Sequence, residues 1–144
     1  MKSDAAKAIT EAVANWAGRR DDIRAMALAG SWARGEPRDT SDLDLLLLSD
    51  QASLYRETAE WLASIDFAGT GHRPRSWMAA TYGVVHSWHI ECVPAAQIEF
   101  SFADCSWAAT APVDDGTRDV VEGGFRIIFD KDGLLARLVD AVMS

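Results

Sequence analysis

The sequence predicts a mixed α/β (α+β) fold, a central sheet flanked by helices, on three observations. Leu43 to Leu48 is a nearly unbroken aliphatic run, which suits a central strand covered on both faces. Val84 to Cys92 and Gln97 to Phe102 read as adjacent antiparallel strands. Helical spacing of apolar residues opens and closes the chain, with Ala6, Ile9, Val13 and Trp16 at one end and Leu134, Leu135, Leu138 and Val142 at the other.

Taken in order, the first helix spans about Ser3 to Gly18, with Ser3 or Asp4 as its cap and Gly18 as its stop. Ile23 to Ala29 is a short apolar run ending in glycine and reads as a strand. Ser31 to Gly35 is then a tight turn or short helix before the aliphatic strand. Ala52 to Ile65 reads as a second helix, with Leu54, Ala59, Trp61 and Leu62 as core contacts. Gly69 to Pro74 is punctuation and reads as loop. Pro94 separates the next two strands. In the second, Ile98, Phe100 and Phe102 point one way and Gln97, Glu99 and Ser101 the other. Asp114 to Glu122 reads as a short helix stopped by Gly123-Gly124, Phe125 to Phe129 as a last strand, and Asp132 to Val142 as a closing helix.

With 144 residues, the chain is expected to form a single domain, 1–144. Apolar residues at 49% and charged residues at 25% suit a soluble globular protein and argue against disorder. A net charge of -8 repels polyanions and argues against a nucleic-acid partner. The two cysteines, Cys92 and Cys105, lack metal-binding spacing and read as reduced buried thiols, with a disulfide as the alternative. No secretory signal and no apolar run of membrane-spanning length is present, so the expectation is a cytoplasmic protein without a membrane partner.

Two short segments carry the chemistry. In Gly30-Ser31-Trp32-Ala33-Arg34-Gly35, Gly30 permits a positive φ or a close approach to a ligand. Ser31 adds a hydroxyl, and Arg34 offers a fork for a phosphate oxygen. On its own, such a segment is an ordinary strand-to-helix turn. In Ser41-Asp42-Leu43-Asp44, the two aspartates project from the same face of a strand. Carboxylates so close repel each other unless cations lie between them, and oxygen donors at this spacing suit Mg²⁺. Two such ions can clamp an in-line displacement. The alternative is a solvated strand entrance, but the aliphatic run places Asp44 at the mouth of a buried strand, where an uncoordinated acid is costly.

Glu99 is the candidate third carboxylate, as a metal ligand or as the base for an attacking hydroxyl. Its alternative is an ordinary polar-out residue. Glu91 is the runner-up, and Asp104 falls where the strand should end. Among the six tryptophans, Trp16 and Trp61 read as core. Trp32 reads as packing, or else as a stacking partner for a base. Trp77, Trp88 and Trp107 line either an acceptor pocket or a core. His72, His86 and His89 show no metal-ligand spacing; His86 and His89, three apart on a strand, face opposite ways.

The glycine-serine turn, the Arg34-Gly35 pair and Ser41-Asp42-Leu43-Asp44 with its aliphatic tail resemble the nucleotidyltransferase superfamily that includes DNA polymerase β. The likeness is to small bacterial nucleotidyltransferase-domain proteins, including minimal and aminoglycoside nucleotidyltransferases. It continues through Ile98 to Phe102, Ser106 to Ala108 and Phe129 to Leu135, and so spans the chain from about Ile23 onward. It implies a nucleotidyltransferase-like fold and Mg²⁺-dependent transfer of a nucleoside monophosphate, AMP from ATP, onto a hydroxyl of a small molecule or protein. By the same resemblance, Asp42, Asp44 and Glu99 would be catalytic and hold two Mg²⁺ ions, and Gly30, Ser31 and Arg34 would contact the triphosphate. Glutamate at the third position departs from the more common aspartate. No basic residue later in the chain matches the family's phosphate-holding position; Arg73, Arg75 and Arg118 are loose candidates that otherwise read as surface charges. The resemblance also implies an alternative role, an antitoxin-type domain that binds or modifies a helical toxin partner.

Overall fold

The computed structural model describes residues 1–144. Its frame is a six-stranded mixed sheet. The strands are β1 (Ile23–Ala29), β2 (Leu43–Ser49), β3 (Arg73–Tyr82), β4 (Val85–Val93), β5 (Ala96–Asp104) and β6 (Phe125–Asp130). Their spatial order is β3-β4-β5-β2-β1-β6. The β2–β5 pair is parallel and all other neighbours are antiparallel.

Four α-helices accompany the sheet: α1 (Ser3–Gly18), α2 (Gly30–Arg34), α3 (Asp115–Glu122) and α4 (Leu134–Met143). α1 carries the expected buried stripe of Ala6, Ile9, Val13 and Trp16, but its N-cap is Lys2 and no side chain caps it. Asp114 accepts a hydrogen bond from the Thr117 amide at 3.2 Å and so starts α3. The closing helix begins two residues later than the pattern suggested. The Asp130 carboxylate takes the amides of Leu135 and Ala136, at 3.2 and 2.9 Å, across the turn at Gly133.

Strand alternation divides the core in two. One face of the sheet sends Met26, Leu43, Leu45, Leu47, Ile98 and Phe100 into a core shared by α1 and the segment Ala52–Ile65. The other sends Ala25, Ala27, Leu46, Leu48 and Ala103 against α3 and α4. β2 is apolar on both faces for this reason. The second layer does not reach across the whole sheet, and on that face β3 leaves Met78 and Tyr82 more than half exposed.

Two expectations fail. Ala52 to Ile65 is not one helix but two 3₁₀ turns, Ala52–Tyr55 and Glu60–Ser64. On one α-helix, Tyr55 and Trp61 would point roughly 120° apart. The break lets both rings meet Phe102, at centroid distances of 4.5 and 5.0 Å. Leu54, expected in the core, is 52% exposed. Second, the segment after Gly71 is not loop. Arg73 onward forms β3, the outer strand of a hairpin with β4. It buries almost nothing, so it lacks the apolar alternation that would have marked it as a strand.

Candidate metal centre

The site begins with β1 and β2. These strands are antiparallel, and Ala29 pairs with Asp44. α2 starts at Gly30, one residue past the end of β1, so its first turn stands over Asp44. Gly30 has φ +73°, and a β-carbon there would lie 2.5 Å from Asp44 Oδ2. The Gly30 amide donates to the Gly124 carbonyl at 3.0 Å. A β-carbon at Gly124 would in turn lie 2.7 Å from the Gly30 carbonyl oxygen. Two glycines thus let three backbones meet beside one carboxylate.

The third acid arrives through the parallel junction. Asp44 pairs with Glu99 across β2–β5, and Glu99 pairs with His89 across β5–β4. Met78, His89, Glu99, Asp44 and Ala29 therefore form one row across five strands, with their side chains on the same face. Asp42 lies just before β2. Oxygens of Asp42 and Glu99 and a ring nitrogen of His89 all fall within 4.8 Å of one another.

The electrostatics of this row are unfavourable in the metal-free protein. Asp44 Oδ1 is buried without a hydrogen-bond partner. Burial raises the proton affinity of the Asp44 carboxyl most; the hydrogen-bonding Glu99 carboxyl and the charges of Glu99 and Asp42 add to it, pushing the pKa up to about 7. A divalent cation would offset these costs, supplying a partner for the orphaned oxygen and charge between the acids. The donor set therefore fits a metal ion.

A cleft of about 260 Å³ opens beside Asp44 and Glu99, bordered by Gly30, Ser101, Trp107 and Asp119. A wider hollow of about 560 Å³ lies on the α1 side between Asn15 and Thr70, and none of the three acids borders it.

Asp42, Asp44 and Glu99 are brought together at the mouth of β2, with Gly30 against Asp44. Ser31 follows in the same turn. The Arg34 guanidinium donates to the Gly123 carbonyl and braces α2 against the end of α3. Glu91 lies on the same face as Glu99 but nearer the hairpin turn; its side chain is 56% exposed and 3.8 Å from Arg75. Asp104 sits at the far end of β5, opposite Ser49. Between the two alternatives for the third acid, Glu99 is the one beside Asp44. Arg118 donates to the Val142 carbonyl, and neither it, Arg73 nor Arg75 borders the cleft. Trp32 packs against the α1-side core. Trp88 and Trp107 are buried, whereas Trp77 is exposed on β3.

His89 is the residue that sequence reasoning passed over. Its Nε2 is 3.4 Å from Glu99 Oε1 and 3.3 Å from the Tyr82 hydroxyl. The signal was present in the hairpin: a turn centred on Pro94 pairs positions on either side of it and sets residue 89 opposite residue 99. Asp119 reaches the cleft from α3, and no local pattern marks it.

Both cysteines are free thiols. No helix is long and apolar enough to cross a membrane. Comparison with protein-family models and with curated proteins gives no match.

Proposed function

We propose that the chain is a metal-dependent nucleotidyltransferase that moves a nucleoside monophosphate, AMP from ATP, onto a hydroxyl acceptor. The observation that carries this reading is Asp44, paired with Glu99 across β2–β5 and within reach of the Asp42 charge, with its carboxylate against the space where a side chain at position 30 would be. Asp42, Asp44 and Glu99 would hold the metal. A divalent ion bound there supplies positive charge against the triphosphate and lowers the pKa of the acceptor hydroxyl.

The chain's own groups have separate tasks. The Ser31 hydroxyl and the backbone of the Gly30-Ser31 turn orient phosphate oxygens. The acceptor oxygen forms a bond to the α-phosphorus as the bond to the bridging α–β oxygen breaks, and pyrophosphate leaves. The acceptor's proton goes to the Glu99 carboxylate. Most of the rate comes from positioning and from charge neutralisation.

The test is incubation of the purified protein with labelled ATP, Mg²⁺ and candidate acceptors, beside the Asp44→Asn variant. Pyrophosphate release lost in the variant supports the reading. ATP and metal that leave the melting temperature unmoved would overturn it, because a ligand specific to the native state must stabilise it.

A second reading, a partner-binding domain, is favoured by the β3–β4 hairpin. Met78, Tyr82 and Val84 are each more than half exposed along it, with Met78 and Tyr82 on the face that carries Glu99. An apolar helix of a partner protein would cover them. This role is compatible with activity at the metal centre.

A further inference from the structure

We propose that His89 is a direct ligand of the metal centre, so that Asp42, His89 and Glu99 form a mixed nitrogen–oxygen site selective for a divalent transition ion of the Mn²⁺ class over Mg²⁺. This rests on reading the carboxylates as a metal centre and adds the identity of the ion to it.

β4 and β5 are antiparallel, and their register sets His89 directly beside Glu99. Both side chains rise on the same face of the sheet, where His89 is part-exposed and Glu99 is the more buried of the two. The imidazole does not project to solvent away from the acids, because Nε2 faces Glu99 Oε1 at 3.4 Å. One donor atom from each of Asp42, His89 and Glu99 lies within 4.8 Å of the other two. Donors sharing one ion sit roughly 3–4.5 Å apart when metal–ligand distances are about 2.0–2.3 Å. Small side-chain rotations therefore suffice to close the three onto an ion. They come from the segment before β2, from β4 and from β5, so a single cation would tie three parts of the sheet.

The chemistry of the donors then selects the ion. Mg²⁺ takes hard oxygen ligands and sheds its water reluctantly. Imidazole suits transition ions, and their affinity for nitrogen-containing sites rises from Mn²⁺ through Co²⁺. An oxygen-only triad would carry a weaker bias. His89 is 38% exposed, so its replacement removes little packing.

The experiment uses the full chain, stripped of metal and titrated separately with Mn²⁺ and Mg²⁺. Binding is read by calorimetry and, for Mn²⁺, by loss of the free-ion paramagnetic resonance signal. We expect Mn²⁺ to bind at least about tenfold more tightly than Mg²⁺. His89→Gln should lower Mn²⁺ affinity about tenfold or more and leave Mg²⁺ affinity within about twofold, collapsing the preference. Glu99→Gln should weaken both ions. Unchanged Mn²⁺ affinity in both His89→Gln and His89→Asn would overturn the proposal. If Mg²⁺ still bound and supported pyrophosphate release, the transferase reading would stand without it. Absence of binding by either ion would overturn both.

Discussion

Gly30 and Asp44 compete for the same space. A β-carbon on the glycine would come within 2.5 Å of Asp44 Oδ2, and the glycine backbone is left-handed at φ +73°. Gly35, at the other end of α2, shares that φ but would meet nothing within 4 Å. The pair separates two effects of a methyl group. Gly35→Ala should cost about 1–2 kcal/mol of stability from backbone strain alone and leave metal affinity unchanged. Gly30→Ala should cost at least as much and also displace the Asp44 carboxylate, weakening metal binding about tenfold or more. Urea denaturation and metal titration of both variants check this.

The Asp44 carboxyl should make the metal-free protein less stable as pH rises. Its pKa in the folded chain is about 7, against an ordinary value of 3.8. Between these values the native state holds a proton that the unfolded chain has released, so unfolding is favoured increasingly as pH climbs from about 4 to about 7. The cost is complete above that window. Asp44→Asn removes the charge, so the metal-free variant should be more stable than the parent at pH 8, and the gain should fade toward pH 4. Urea midpoints across pH would show it. A variant less stable than the parent at pH 8 would contradict the burial argument.

Phe102 anchors the aromatic cluster beneath β5. It is almost fully buried, stacks on Tyr55 with centroids 4.5 Å apart, and meets Trp61 edge-on. Phe102→Ala should cost about 3–5 kcal/mol, because both 3₁₀ turns lose the surface they pack on. Chemical denaturation measures it.

The thiols should resist modification while the protein is folded. Burial raises the pKa of both, that of Cys92 to about 11, which leaves almost no thiolate at neutral pH. A disulfide-exchange reagent at pH 7.5 should label the half-buried Cys105 slowly and Cys92 only after denaturant is added. Mass spectrometry of the labelled peptides distinguishes them.

Much of the frame was legible because burial writes itself into residue spacing. α1 repeats its apolar residues every three or four positions, β2 is aliphatic on both faces, and β5 alternates cleanly. The acids were legible for the same reason, since Asp44 interrupts an apolar strand and Glu99 stands among outward residues. β3 left no such trace because an outer strand buries too little to constrain its side chains. The 3₁₀ turns were obscured because their rings answer to Phe102, a partner distant in sequence. His89 became meaningful only through its cross-strand neighbour, and a lone histidine carries no sign of that neighbour.

The parallel junction of β2 and β5 has a consequence for how the acids are assembled. Side chains alternate along β5, so sliding that strand by one position would swing Glu99 under the sheet, against Trp61 and Tyr55, and lift Phe100 into the place beside Asp44. Such a misaligned chain would bury a charge and expose a ring in one movement. The aromatic layer thereby acts as a proofreader: it rejects the alignments in which the carboxylates fail to meet.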